Sequence, residues 1–185
     1  MDLRDAQNEV RRVFVGGAFG QIITGAIWLL SAALATWASR PVGIIALVLG
    51  GMVIFPLTQL VLKLAGRRAS LSRENPLGRF SQLAVFAMMA TFPLIYLAAR
   101  HDLNWFYPAF MIVVGAHYVM FIHLYGMWQY GVLAAGLVGG GVALIVLRSA
   151  AFALGGWRAG AALVVFGVVI WTTSRDEKSG SPAPD

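Results

Sequence analysis

The chain has 185 residues, of which 59% are apolar or aromatic and only 12% are charged. That charged share is about half of what soluble domains carry, too little polar surface for water, so lipid is the solvent the composition selects. The net charge of +6 is accounted for by a basic rim on anionic lipid, leaving nucleic acid unneeded as a partner, and the lack of cysteine excludes disulfides, thiolate metal sites and a cysteine nucleophile.

Residues 1–12 are polar, and Asp2 or Asn8 is placed to cap a short surface helix there. A spanning helix needs about 20 apolar residues, and the first such run is Val13–Ala38. Ala33-Leu34-Ala35 has the look of a signal-peptidase site, but the run before it is longer than the usual h-region, and Asp2, Asp5 and Glu9 precede it. We read it as a retained span. The second run, Val42–Ala65, contains Pro56, Thr58 and Gln59. Gly66–Gly78 is a basic loop in which Ser72 or Asn75 starts the next helix, and Arg67-Arg68-Ala69-Ser70 reads as a stop-transfer cluster rather than a kinase site. The third run, Phe80–Ala99, carries Gln82, Thr91 and Pro93; the fourth is Trp105–Tyr125 and the fifth Met127–Leu147. Only Tyr125-Gly126 separates the last two, which requires a very tight turn. Trp157–Thr173 is the sixth, and residues 174–185 are Pro/Gly/Ser-rich and read as a disordered tail. Runs such as Ile44–Phe55 are apolar on both parities, which excludes alternating barrel strands. The expected fold is therefore an all-α polytopic bundle of six spans over residues 13–173.

Six spans place the N-terminus, the second and fourth loops and the C-terminus on one side. That side holds Arg4, Arg11, Arg12, Lys63, Arg67, Arg68, Arg73, Arg79, Arg175 and Lys178; the other holds Arg40, Arg100, Arg148 and Arg158. The positive side belongs in the cytoplasm, so both termini are expected inside.

Small residues recur at helical spacing. Gly131, Ala135, Gly139 and Ala143 form one stripe, with Gly136 and Gly140 beside it, and Gly16 and Gly20 make a GxxxG in the first span. Such stripes let helix backbones approach closely; they serve packing within the monomer, oligomerisation, or the lining of a pore. The fourth span and its flanks are dense in aromatics, from Trp105 to Tyr130, and those at either end fit interfacial belts. Tyr118 sits near mid-span beside His117. A buried imidazole or phenol in hydrocarbon needs a partner, and Gln21, Gln59 and Gln82 are the candidates. His123 lies near the basic end and His101 in an outer loop. His117 and His123 point about 240° apart on an ideal helix, so one monomer offers no bis-histidine haem site, and no cofactor or metal is expected.

No Asp or Glu lies within any span. This argues against a carboxylate proton relay or a carboxylate-bound sodium site. With no acid pair and no nucleophile–base pair, catalysis is not expected.

The blocks Ile54-Phe-Pro-Leu-Thr-Gln-Leu60, Ala69-Ser-Leu-Ser-Arg-Glu-Asn-Pro-Leu77, Leu103-Asn-Trp-Phe-Tyr-Pro-Ala-Phe-Met-Ile-Val-Val-Gly-Ala-His-Tyr118 and Leu124-Tyr-Gly-Met-Trp-Gln129 together resemble a family of small bacterial multispanning proteins without an assigned activity. The resemblance implies a multi-pass protein of the bacterial inner membrane and carries no functional residues over. From the residues themselves, the leading expectation is a channel, facilitator or binding protein for a small neutral or weakly ionised solute. In it, His117, Tyr118, Gln21, Gln59 and Gln82 converge on one mid-membrane cavity. The alternative is a structural or accessory membrane protein that forms a homo-oligomer through its glycine-rich helix faces.

Overall fold

The computed structural model describes residues 1–67 and 70–179, with side chains to residue 174. Among these residues the helices are α1 (Leu3–Phe14), α2 (Ala18–Trp37), α3 (Arg40–Leu64), α4 (Leu77–Ala90), α5 (Phe92–His101), α6 (Phe106–Tyr125), α7 (Gln129–Val146) and α8 (Leu154–Ser179). Among the described residues six segments are long and apolar enough to cross a membrane: Leu3–Trp37, Arg40–Leu64, Leu77–His101, Leu103–Tyr125, Gln129–Val146 and Leu154–Ser174. The protein is an all-helical bundle with the composition of an integral membrane protein. Helix α8 continues through residues 174–179, where composition predicts a disordered tail, because the polar stretch simply extends the last span. Residues 180–185, Arg68 and Ala69, and the side chains of Arg175 and Lys178 lie outside the described residues.

The polar start forms α1, as its cap predicts: the Asp2 side chain accepts from the Asp5 N–H at 2.8 Å. Asp5 in the first turn and Arg11 and Arg12 in the last complement the helix dipole. Ala6 and Val10, one turn apart, are its buried face. α1 is separated from α2 by a 3₁₀ turn at Val15–Gly17 in which all three residues are left-handed, with φ of 55°, 60° and 85°. Two glycines adopt this freely. Val15 does not, at a cost of about 1–2 kcal/mol.

Helix α2 buries Ala18, Gln21, Gly25, Trp28, Ala32 and Ala35, an alternation of three and four residues that defines one continuous seam. Helix α8 fills it. A methyl group at Gly25 would sit 2.8 Å from the Gly160 carbonyl oxygen, and one at Gly167 would sit 2.9 Å from the Ala18 carbonyl oxygen, so the two backbones are in direct contact. On another side of α2 lies α3, where a methyl at Gly43 would strike the Ser31 carbonyl at 2.8 Å. Helices α6 and α7 form a hairpin. It turns at Gly126, left-handed with φ 63°, as Tyr125-Gly126 predicts. Their backbones meet where Gly115 faces the Ala134 carbonyl and Gly141 the Pro108 carbonyl.

The third span is broken. α4 stops at Ala90 and α5 begins at Phe92, with Thr91 between them and Pro93 in the first turn of α5. By contrast α3 runs through Pro56 uninterrupted. The spans are unequally covered: 44% of the most apolar stretch of the α6 span is buried inside the protein, but only 6% of that of α3 and 11% of that of α4–α5. The helices thus form a packed centre of α2, α6, α7 and α8 and an exposed apolar periphery of α3, α4 and α5.

Candidate functional site

The buried polar groups gather where α2 begins. Tyr118, Phe121 and Tyr125 stand three and four residues apart on α6 and so share a face with one another. Tyr130, at the start of α7, is enclosed by them. Its ring lies 6.0 Å from Tyr118, 5.3 Å from Phe121 and 5.2 Å, stacked, from Tyr125. Phe166 of α8 closes the cluster edge-on at 5.0 Å. Tyr130 is fully buried, and its hydroxyl donates to the Gly16 carbonyl at 2.7 Å. The left-handed turn frees that carbonyl from helical bonding, so Tyr130 satisfies what the break leaves open. The same turn gives the phenols their space: a methyl at Gly17 would stand 3.1 Å from the Tyr125 hydroxyl and would overlap that of Tyr130.

Gln21 comes into this cluster from α2, one turn past the break. It is 3% exposed, and its side chain lies beside the Tyr118 and Tyr130 hydroxyls. Its Oε1 has no hydrogen-bond partner. Thr24 lines the same face; its hydroxyl donates to the Gly20 carbonyl at 2.7 Å and lies beside Tyr118.

Of the five expected pathway residues, Gln21 and Tyr118 meet. His117, next in sequence to Tyr118, turns aside: its ring rests on Phe121 at 4.9 Å and reaches the Ala84 backbone of α4, while its Nδ1 has no partner. Gln59 is half-buried on α3, and Gln82 is exposed on α4. The five therefore do not share one cavity. Consecutive residues on a helix point about 100° apart, which separates His117 from Tyr118. α4 meets the centre through Ala84, not Gln82.

The small residues also divide. Gly16 and Gly20 pack inside the protein, against Ile170 and Thr58, and Gly131 meets Ile122. Ala135, Gly139 and Ala143 are exposed, and nothing lies within 4 Å of a methyl group built at Gly136 or Gly139. α7 turns a different face to α6, through Ala134, Leu137 and Gly141.

A second buried polar contact, at the other end of the bundle, is absent from the sequence expectations. The Ser31 hydroxyl donates to the Gly43 carbonyl at 2.8 Å and lies 2.6 Å from the Tyr107 hydroxyl, with both side chains fully buried. Depth alone assigns Tyr107, Tyr125 and Tyr130 to interfacial belts. The signal that finds two of them is helical phase, because Tyr107, Met111, Val114, Tyr118 and Tyr125 lie on one buried seam of α6.

At the α1 end, polar bonds tie together segments distant in sequence. Glu9 accepts from the Ser72 N–H at 2.7 Å, the Ser72 hydroxyl at 2.9 Å and the Asn75 amide at 2.8 Å. Asn75 also donates to the Ala6 carbonyl and accepts from the Leu77 N–H, starting α4. Gln7 donates to the His123 carbonyl at 2.6 Å, and Arg11 to that of Gly126 at 3.4 Å. The bonds from Asn75 and Ser72 hold the Glu9 carboxyl below the ordinary glutamate range. Among the described residues no three His, Asp or Glu side chains are grouped to hold a metal.

No curated protein and no solved structure matches the chain. One family model does, over residues 3–173, which takes in α1 and all six spans. A match of that extent settles membership: the chain belongs to DUF7010, a family of unknown function.

Proposed function

We propose that the protein is a structural or accessory membrane component that works by associating with other helices in the bilayer, in the first instance with copies of itself, and not as an enzyme. The observation that carries this reading is the uncovered face of α7. Ala135, Gly136, Gly139 and Ala143 are exposed on the outside of the bundle, with free space over Gly136 and Gly139. Close backbone contacts within this chain are made by just such residues, at Gly25–Gly160, Gly115–Ala134 and Gly43–Ser31. An α7 face of the same kind offers a partner backbone the same approach. The expected setting is a bacterial inner membrane, with the α1 end and its excess of arginine in the cytoplasm. Gly139→Leu fills the open face without touching the monomer's core. Native mass spectrometry of the gently solubilised protein should show an oligomer for the wild type and a monomer for Gly139→Leu. Equal mass for both would refute the reading.

A solute-binding role has one observation in its favour, the buried Gln21 Oε1 without a donor. It calls for a small neutral molecule that donates a hydrogen bond beside Tyr118 and Tyr130. Gln21→Leu should then abolish retention of that molecule in the same spectrum. His117→Ala should not, because His117 faces α4.

A further inference from the structure

A cleft of about 490 Å³ opens beside α1, lined by Glu9, Arg12, Val13, Arg67, Ser70, Leu71 and Ser72. It joins the N-terminal helix to the loop between α3 and α4. The Arg67 guanidinium donates to the Arg12 carbonyl at 3.1 Å, which fixes two arginines at one cleft although 55 residues separate them in sequence. Against these two arginines stands one carboxylate, Glu9, which accepts from Ser72 and Asn75 and feels the charge of Arg12, so the cleft carries a single net positive charge. The Ser70 side chain is exposed there. Val13, near the end of α1, and Leu71 supply the cleft's apolar lining. Positive charge, a hydroxyl and two apolar side chains lining one cleft are the chemistry that suits a phosphodiester with acyl chains attached.

We propose that this cleft binds the phosphate of an anionic phospholipid, gripped by Arg12 and Arg67, with Val13 and Leu71 against the glycerol and upper acyl chain. Guanidinium groups recognise phosphate through paired N–H donors, and a net anionic headgroup adds attraction that a zwitterionic one cancels with its own cation. The chemistry common to lipid and free phosphate is the tetrahedral anion; the apolar lining is what selects the lipid.

The test offers the purified protein equimolar phosphatidylglycerol and phosphatidylcholine in detergent and reads bound lipid by native mass spectrometry. Two arginines near a membrane surface imply a preference of about thirtyfold for phosphatidylglycerol, and Arg12→Gln/Arg67→Gln should reduce it to near parity. Arg100→Gln/Arg148→Gln removes the same charge at the far end of the bundle and should keep the preference. Ser70→Glu, which puts a carboxylate at the mouth of the cleft, should lose it even if the arginine variant folds poorly. The proposal fails if the wild type shows no preference, if Ser70→Glu and the cleft variant both retain it, or if the far-end variant loses as much as the cleft variant. Displacement of lipid by excess inorganic phosphate would also overturn it, since the ligand would then be the free ion.

Discussion

Two glycine-rich faces, on α8 and on α7, are alike in composition and opposite in use. On α8, Gly160 and Gly167 are pressed against the backbone of α2. On α7, Gly136 and Gly139 meet nothing. In water such a difference has little meaning, because any apolar face seeks cover. In lipid it has more, since tails cover an apolar face at no cost and only close packing rewards association. Small residues that the monomer leaves unused therefore mark where a second backbone can come close, and those already used mark what the fold depends on.

The largest effect expected from this contrast is on the covered face. Gly160→Leu drives a side chain into Leu29, whose Cγ would already lie 2.7 Å from a methyl group at that position. Overpacking of this kind costs about 3 kcal/mol or more where the backbones cannot part. Denaturation from detergent should show it as loss of the folded monomer; a stable monomer would break the comparison at its root. Tyr130→Phe comes next, because it strands the Gly16 carbonyl in a dry site, at about 1–3 kcal/mol. Hydrogen exchange over residues 15–21, the break and the first turn of α2, should quicken in that variant.

Glu9 supplies a smaller, pH-dependent effect. Its folded pKa is depressed, so its contribution to the docking of α1 is fully present above the ordinary glutamate range. It is lost as pH falls through the lowered folded value. Exchange at α1 amides should therefore be slow at neutral pH and faster in acid, and Glu9→Gln should flatten that dependence. The smallest effect belongs to Gly139→Leu. On an open face it should change monomer stability by no more than about 0.5 kcal/mol, and a larger loss would mean that the face is already in use.

Much of this is legible in the sequence, and the parts that are not share a cause. Hydropathy locates six spans, five of them to within about three residues at each end; the first, expected from Val13, is continuous with α1 and so reaches back to Leu3. Asp2 announces α1, Gly126 the hairpin turn and Pro93 the break in the third span. Rotation about each span is hidden. The spans are apolar all round, so no polar face tells inside from outside. That is why Gln82 is expected in the interior and is exposed, and why Tyr125 and Tyr130, belt residues by depth, are buried at the break before α2. The pairing of Ser31 with Tyr107 is hidden for another reason: it spans 76 residues, and no local pattern in either helix points to the other.

The chain contains no cysteine, so single cysteines can report helix contacts directly. Gly139→Cys, on the open face of α7, should form disulfide-linked dimers on mild oxidation in native membranes. Met52→Cys, on the exposed periphery of α3, and Leu163→Cys, buried in the core, should not. Efficient crosslinking is expected at position 139 alone. No crosslink there, or one no stronger than at position 52, would contradict it.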